Sequence, residues 1–361
     1  MVILKKDDKE RIVQILNRGG LMAIPTDTVY GIVAKADFPD STEKFFTVKG
    51  RDEGKKIPLL VSDEPMSRRI IRSPFPRYLK KALDLLPRGA VTYVGPAASG
   101  YEYFSSSDGS LAFRIPQDPF LKEIMELIDS PLLATSANRS GHPVLKDAAS
   151  ICQEFGEALD GIVDGLPGGD KPSSLISFME EIPFLLRLGA LSKETIRRKI
   201  PLQTLVLFVC TGNTCRSPMA ERYAAFRWPV KVLSAGLSAM PGASPAPEAL
   251  RIMERFSSKE KKAFVFDREL FERADLILTM EREHKNVIEE HFGQEKTFVL
   301  SDFALSGGAI GRNGTFKKDK QTIRGKNIPD PYGYGRDYYE KAFEMIRSFI
   351  DMIDTGETDE T

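Results

Sequence analysis

A thiol and a guanidinium stand near the two ends of Cys210-Thr211-Gly212-Asn213-Thr214-Cys215-Arg216-Ser217, with five residues between them. That spacing suits displacement at a phosphoryl group. A thiolate at Cys210 attacks phosphorus in line and forms a cysteinyl-phosphate, while the planar fork of Arg216 closes back over the loop and grips two equatorial oxygens. The departing group needs a proton. Ile328-Pro329-Asp330-Pro331-Tyr332-Gly333 supplies a carboxyl, Asp330, on a Pro-bracketed turn, as general acid and later as base for water.

The flanking residues predict the elements that position this chemistry. Leu205-Val206-Leu207-Phe208-Val209 is an apolar β-type run, and Pro218-Met219-Ala220-Glu221-Arg222-Tyr223-Ala224-Ala225 reads as a helix, with Ser217 as N-cap and Pro218 at its first position. In a strand, loop and helix so ordered, successive loop N–H groups and the positive helix end converge on one point. An anion is held there, and the thiolate of Cys210 is favoured. Thr211, Gly212, Asn213, Thr214, Cys215 and Ser217 are therefore read as the phosphate-loop and specificity residues.

Residues 209–221, together with Ser234-Ala235-Gly236, Ala274-Asp275-Leu276-Ile277-Leu278-Thr279-Met280 and Asp330-Pro331-Tyr332, closely resemble the low-molecular-weight protein phosphatases, across about 205–355. The resemblance implies a four-stranded parallel sheet flanked by helices, phosphorylated proteins as substrates and no cofactor. Thr214 stands where tyrosine-specific members commonly carry the larger Ile, and Thr-Gly-Asn-Thr resembles the bacterial protein-arginine phosphatases. A β-branched side chain with one hydroxyl leaves room beside the loop and can bond a guanidinium nitrogen, so phosphoarginine is expected ahead of phosphotyrosine, with a tyrosine phosphatase as the alternative. Lys261-Lys262-Ala263-Phe264 departs from the family's His-x-Ser-Arg, and the Gly- and Lys-rich residues 306–327 are expected to form a mobile loop over or beside the site. Cys215 reads either as a partner for a reversible disulfide with Cys210 or as a small packing thiol.

At 361 residues the chain exceeds what one core usually serves. Two α/β domains are expected, 1–200 and 204–361, joined through Lys199-Ile200-Pro201-Leu202-Gln203. Basic and acidic residues balance at 51 each, so no global field argues for nucleic acid or membrane. No apolar run approaches the ~18 residues of a membrane span, and the first apolar stretch is short for a signal peptide. Three cysteines make no disulfide framework, and a nucleophilic thiol needs a reducing compartment, so a cytoplasmic protein is expected. The three histidines, His142, His284 and His291, lack paired ligand spacing, and no metal site is expected from them.

In the first two hundred residues, helical runs at 7–17 and 42–49 alternate with strands at 21–24, 59–61, 91–94, 112–115, 132–134, 175–178 and 184–186. Polar residues cluster at the strand ends: Thr26, Thr28 and Tyr30 on one turn; Lys49, Arg51, Lys55 and Lys56 on one loop; Arg114; Ser136 and Asn138; and Arg187. Four cations on one loop suit a polyphosphate, and no Walker string is present. In this order the residues resemble the YrdC-type threonylcarbamoyl-adenylate synthases, across about 8–195. The resemblance implies a twisted mixed sheet with helices, ATP as substrate with Mg²⁺, threonine and bicarbonate as co-substrates, threonylcarbamoyl-AMP and pyrophosphate as products, and partner proteins of tRNA modification. Thr26, Thr28 and Tyr30 would hold threonine; Lys49, Arg51, Lys55, Lys56, Ser136 and Asn138 would hold ATP, with Arg114 and Arg187 in the same cleft. Gly89-Ala90-Val91-Thr92 and Ser173-Ser174 depart from the family pattern. The alternative for this half is a non-catalytic RNA-binding or scaffold module.

Overall fold

The computed structural model describes residues 1–36, 43–45, 47–48, 57–139, 142–169, 171–311, 314–319 and 323–355. The chain divides into two compact units, Met1–Pro201 and Leu202–Thr361.

In the N-terminal unit the described strands are β1 (Val2–Leu4), β2 (Met22–Pro25), β3 (Tyr30–Lys35), β4 (Leu59–Leu60), β5 (Val91–Pro96), β6 (Ser110–Arg114), β7 (Leu132–Ser136), β8 (Gly161–Val163), β9 (Ser174–Ser177) and β10 (Phe184–Arg187). They form one sheet in the order β1-β8-β2-β3-β7-β4-β6-β5-β9-β10. It is mixed: β1 and β2 run parallel to β8, while β3 runs antiparallel to both β2 and β7. Helix α1 (Lys9–Asn17) buries Ile12 and Leu16, one turn apart on a single face, against Leu121, Ile124 and Ile128 of the helix Pro119–Ile128.

Sequence reading missed β1, β3 and β8. Two of these are three residues long, too short to show a period. Tyr30–Lys35 is apolar almost throughout because both its faces are covered, so it shows no alternation either. Of the helix expected at 42–49, the described residues 43–45 and 47–48 are helical.

The C-terminal unit has β11 (Leu205–Cys210), β12 (Lys231–Gly236), β13 (Leu276–Thr279) and β14 (Thr297–Val299), all parallel, in the order β12-β11-β13-β14. Every residue of β11 is buried, as befits a central parallel strand. Its alternate residues serve two cores. Val206, Phe208 and Cys210 pack with Met219, Tyr223, Phe343 and Ile346, whereas Leu207 and Val209 pack with Ile277 and Ile288. The chain leaves β11 for β12 on one side and reaches β13 on the other, so the carboxyl end of β11 is the point where strand order reverses, which in open parallel sheets is the usual place for a ligand. Cys210 is the last residue of that strand.

The described part of the segment expected as a loop, 306–327, contains a hairpin. β15 (Ala309–Ile310) pairs with β16 (Phe316–Lys317), and the Phe316 ring packs against Phe298 and Phe303. No helix among the described residues is long and apolar enough to cross a membrane.

Candidate active sites

In the C-terminal unit the loop after Cys210 is shaped by its neighbours on β12 and beyond. Leu237 N–H donates to the Cys210 carbonyl at 3.0 Å, Ser238 N–H to that of Thr211 at 2.9 Å and Ala246 N–H to that of Thr214 at 2.9 Å. With those carbonyls tied outward, the loop N–H groups are left for an anion. Gly236 permits the close approach: a Cβ there would stand 2.6 Å from the Thr211 carbonyl oxygen. Asn213 takes the left-handed conformation, φ 53°, which short polar side chains tolerate best after glycine. Its side chain is buried and fully used. Nδ2 donates to Ser217 Oγ (3.0 Å) and Ser234 Oγ (2.7 Å), and Oδ1 accepts from Phe264 N–H (2.9 Å).

The following helix, Arg216–Arg227, begins earlier than the sequence suggests. Cys215 occupies the cap position and no side chain caps the helix, so the expected N-cap role of Ser217 is corrected. Ser217 instead sits inside the first turn, its Oγ 3.0 Å from Cys210 Sγ. Pro218 falls at the third helical position, where its missing N–H is still one of the unpaired donors of a helix start.

Arg216 is only 2% exposed. Its Nη1 donates to the Glu281 carboxylate and, at 3.0 Å, to the Ile328 carbonyl; its Nη2 reaches Asp330 Oδ2 at 2.7 Å. The side chain of Asp330 is about half exposed, open to a substrate. Thr211 Oγ1 lies 2.9 Å from His284 Nε2, while His284 Nδ1 is buried without a partner. Burial, and next the Arg216 charge, hold the His284 pKa below the usual imidazole range. Thr214 Oγ1 is 3.7 Å from Cys215 Sγ and borders the space over Gly212. Burial pushes the Cys215 thiol up, against a 3.4 Å contact with the Tyr339 hydroxyl.

Sequence reasoning missed Glu281 and His284. Both sit just past the Thr279-Met280 end of β13, and only a rule that strand ends in a parallel sheet carry function would have singled them out.

In the N-terminal unit a cavity of about 480 Å³ is lined by Thr26, Thr28, Arg114, Ser136 and Arg187 from among the expected residues. Arg114 is buried and donates from Nη1 to Thr28 Oγ1 (2.7 Å) and from Nη2 to Thr26 Oγ1 (3.2 Å). Burial lowers its pKa, with Asp27 opposing and Arg187 adding to the shift. Arg187 donates from Nη2 to the Ser173 carbonyl at 2.9 Å.

Two of the expected residues stand outside this lining. Tyr30, expected to hold threonine, is fully buried outside the lining, with its hydroxyl 2.8 Å and 2.9 Å from the carbonyls of Val163 and Gly165; burial pushes it up to about 12. Asn138 also stands outside the lining, accepting from Ser136 Oγ at 2.6 Å and donating to the His142 carbonyl at 2.5 Å, so it braces Ser136. Lys49, Arg51, Lys55 and Lys56 lie outside the described residues.

Missed on sequence were the lining hydroxyls of Ser106, Ser110, Thr92 and Ser173, the last two 2.6 Å apart and buried. Thr92 and Ser173 lie in the two stretches, Gly89–Thr92 and Ser173-Ser174, already singled out in the sequence. Among the described residues the lining offers hydroxyls and guanidiniums but no carboxylate, and no cluster of His, Cys, Asp or Glu could hold a metal. These residues do not fit a resident Mg²⁺.

The family model Sua5_yciO_yrdC, described as "Telomere recombination", matches residues 14–189, and the low molecular weight phosphotyrosine protein phosphatase model matches 205–353. The chain is 31% identical over 190 residues to the threonylcarbamoyl-AMP synthase of Bacillus subtilis, 52% of this chain and 54% of that protein, so it spans about half of that relative's length. It is 30% identical to the synthase of Vibrio parahaemolyticus over 47% of this chain and 93% of that protein. Against the protein-arginine-phosphatase of Bacillus subtilis it is 32% identical, over 41% of this chain and 93% of that protein. Among solved structures, P. abyssi Sua5 complexed with L-threonine is similar with a TM-score of 0.52 at 19% identity, covering 74% of this chain and 94% of that one, a likeness of fold.

Proposed function

The chain belongs to the YrdC-type threonylcarbamoyl-AMP synthases through its N-terminal unit and to the low-molecular-weight protein phosphatases through its C-terminal unit, and from that membership we propose a bifunctional cytoplasmic enzyme. The C-terminal unit is a protein-arginine phosphatase. The observation that carries this reading is the contact of Arg216 Nη2 with Asp330 Oδ2 at 2.7 Å, between residues 114 positions apart, beside the thiol loop.

The phosphoryl group enters the loop and exchanges places with the carboxylates on Arg216, whose fork then holds two of its oxygens. Cys210 sulfur bonds to phosphorus as the P–N bond breaks, and Asp330 gives its proton to the departing nitrogen, so arginine leaves as guanidinium. Asp330 then takes a proton from water. The water oxygen bonds to phosphorus, the S–P bond breaks, and phosphate leaves with the thiolate restored. Ser217, 3.0 Å from the sulfur, stabilises it both as nucleophile and as leaving group.

Thr214 supports the preference for phosphoarginine, since its hydroxyl borders the cradle where an Ile would present only apolar bulk. The test compares kcat/KM for phosphoarginine and phosphotyrosine peptides in the parent and in Thr214→Ile. A shift toward phosphotyrosine is expected; an unchanged ratio removes the argument for Thr214, and parent preference for phosphotyrosine overturns the arginine reading.

The N-terminal unit joins threonine, bicarbonate and ATP. Threonine's amine takes up carbon dioxide as a carbamate, whose oxygen attacks the α-phosphorus and expels pyrophosphate, giving threonylcarbamoyl-AMP for a partner that modifies tRNA. Thr26 and Thr28 orient threonine, and Arg114 and Arg187 absorb charge developing on the phosphates. Mg²⁺ enters with ATP as part of the substrate. Mass spectrometry of the products made from ATP, threonine and bicarbonate tests this: threonylcarbamoyl-AMP is expected, and salt-dependent RNA binding without any AMP product would favour the binding-module alternative.

A further inference from the structure

We propose that a cavity at the outer edge of β14 is a second anion site of the C-terminal unit, suited to a diphosphate group. Its volume is about 500 Å³, and its lining shares no residue with the 210–217 loop or with Asp330. The site therefore stands apart from the phosphatase reading.

β14 is the last strand of its sheet, so among the described residues one of its edges has no neighbouring strand. Two elements wrap that edge from opposite faces. Helix Arg282–Phe292 packs its Ile288 with Leu207 and Val209, whereas Phe298, Phe303 and Phe316 pack on the face of Val206 and Phe208. Each side brings cations to the cavity: Arg282 and Lys285 from the helix, Lys318 and Arg324 from the residues beyond β16. The two carboxylates in the lining are already taken, Glu289 by Lys285 at 2.6 Å and Asp302 by Arg282 at 2.8 Å. Arg282 also donates to the Gly325 carbonyl at 2.7 Å and to Asn327 Oδ1 at 2.9 Å, so it fastens one wall to the other. Arg324 is exposed, and among the described residues its side chain makes no ion pair or hydrogen bond. Cations outnumber carboxylates by two.

A second observation lies in the strand itself. Thr297 lines the cavity and is fully buried, yet its Oγ1 has no hydrogen-bond partner among the described residues. Buried hydroxyls are seldom left so. Charge placed on an edge strand only to repel other strands needs neither a cavity nor an unpaired donor. The one ring in the lining, Phe298, has Lys318 Nζ 4.9 Å from its centroid, so charge rather than an open aromatic face meets a ligand. Cations arriving from two sides of a space this large match two linked phosphoryl groups better than one. Such a group is carried by free pyrophosphate or by a nucleoside diphosphate.

The experiment follows acetylation of Lys285 and Lys318 in the full chain by an N-hydroxysuccinimide ester, mapped by peptide mass so that anion binding elsewhere does not contribute. Pyrophosphate near saturation is expected to slow both about tenfold and to leave Lys341, exposed and outside the cavity, unchanged. Equal protection by ADP supports the site and admits a nucleotide as the source; protection by pyrophosphate without ADP assigns the free ion. Protection by ADP alone, equal protection by orthophosphate at the same concentration, or no protection at all overturns the proposal. Arg324→Ala is expected to raise the half-protecting concentration about tenfold, the loss of one charge-assisted hydrogen bond. Thr297→Val keeps the shape and removes the hydroxyl, and is expected to raise it severalfold. A parent-like value in either variant also overturns the proposal.

Discussion

Gly236→Ala isolates how much the phosphatase depends on one missing carbon. A Cβ at 236 would meet the Thr211 carbonyl oxygen at 2.6 Å, Asn213 nitrogen at 2.8 Å and Gly212 carbonyl carbon at 2.9 Å, where ordinary contact begins at 3.4 Å. The loop must therefore retreat by about 0.8 Å at Thr211, or β12 must give by the same amount. Neither has slack. Gly236 N–H bonds the Phe264 carbonyl and its own carbonyl takes the Phe266 N–H, both at 2.9 Å, and the Thr211 carbonyl is held by Ser238 at 2.9 Å. Overpacking of this kind costs about 1–3 kcal/mol of stability. A displacement near 1 Å of the groups that hold the reacting phosphoryl costs about 10²-fold in rate. The expected outcome is a C-terminal unit that still folds, with kcat/KM for a phosphorylated peptide lowered about hundredfold. Trp228, the single tryptophan, is buried in that unit against Phe208, so its fluorescence in a urea titration reads the stability of this unit alone. Activity within about threefold of the parent, with the loop intact by that probe, would refute the reasoning, because a cradle of tightly spaced donors cannot move so far at no cost.

Asp330→Ala should lower turnover of a phosphoarginine peptide by about 10²–10⁴-fold but affect p-nitrophenyl phosphate far less, since that leaving group departs without a proton; equal losses on both would remove Asp330 from the acid role. His284 is held neutral by burial and by Arg216, its pKa lowered below the unfolded value. The unfolded chain therefore takes up the proton first as pH falls, and stability present above about pH 6.5 is lost below it. His284→Gln should flatten that acid slope in Trp228-monitored unfolding below about pH 6.5, and an unchanged slope counts against it. In the N-terminal unit, Arg114→Ala should abolish threonine-dependent pyrophosphate release. Arg114→Lys should recover little, because the two Thr contacts at 2.7 Å and 3.2 Å come from two arms of one planar fork; full recovery would reduce Arg114 to a point charge.

Local chemistry was legible wherever spacing carries it. The run Leu205–Cys210 reads as a buried central strand because it is apolar throughout, and the thiol-to-guanidinium interval that follows allows only a tight turn. The synthase half was read from isolated polar residues at strand ends, and there the reading was looser. Tyr30 shares a turn with Thr26 and Thr28 in sequence, but β3 begins at Tyr30 and its hydroxyl reaches the Val163 and Gly165 carbonyls, while the two threonines stay at the Arg114 cavity. Thr26, Thr28 and Tyr30 are two positions apart, so strand alternation would not part them, and the turn's sequence does not reveal where the strand starts.

The sequence by itself determined which residues can attack, clamp and donate, because nucleophilicity, planarity of charge and turn geometry are properties of short segments. Only the tertiary structure decided who surrounds them. Glu281 and Asp330 on Arg216, His284 on Thr211, and Lys261 on Glu221 come from segments between 40 and 114 positions away. Their meeting depends on strand order and register, which are set by how two apolar faces of one sheet find cover, and no local spacing encodes that.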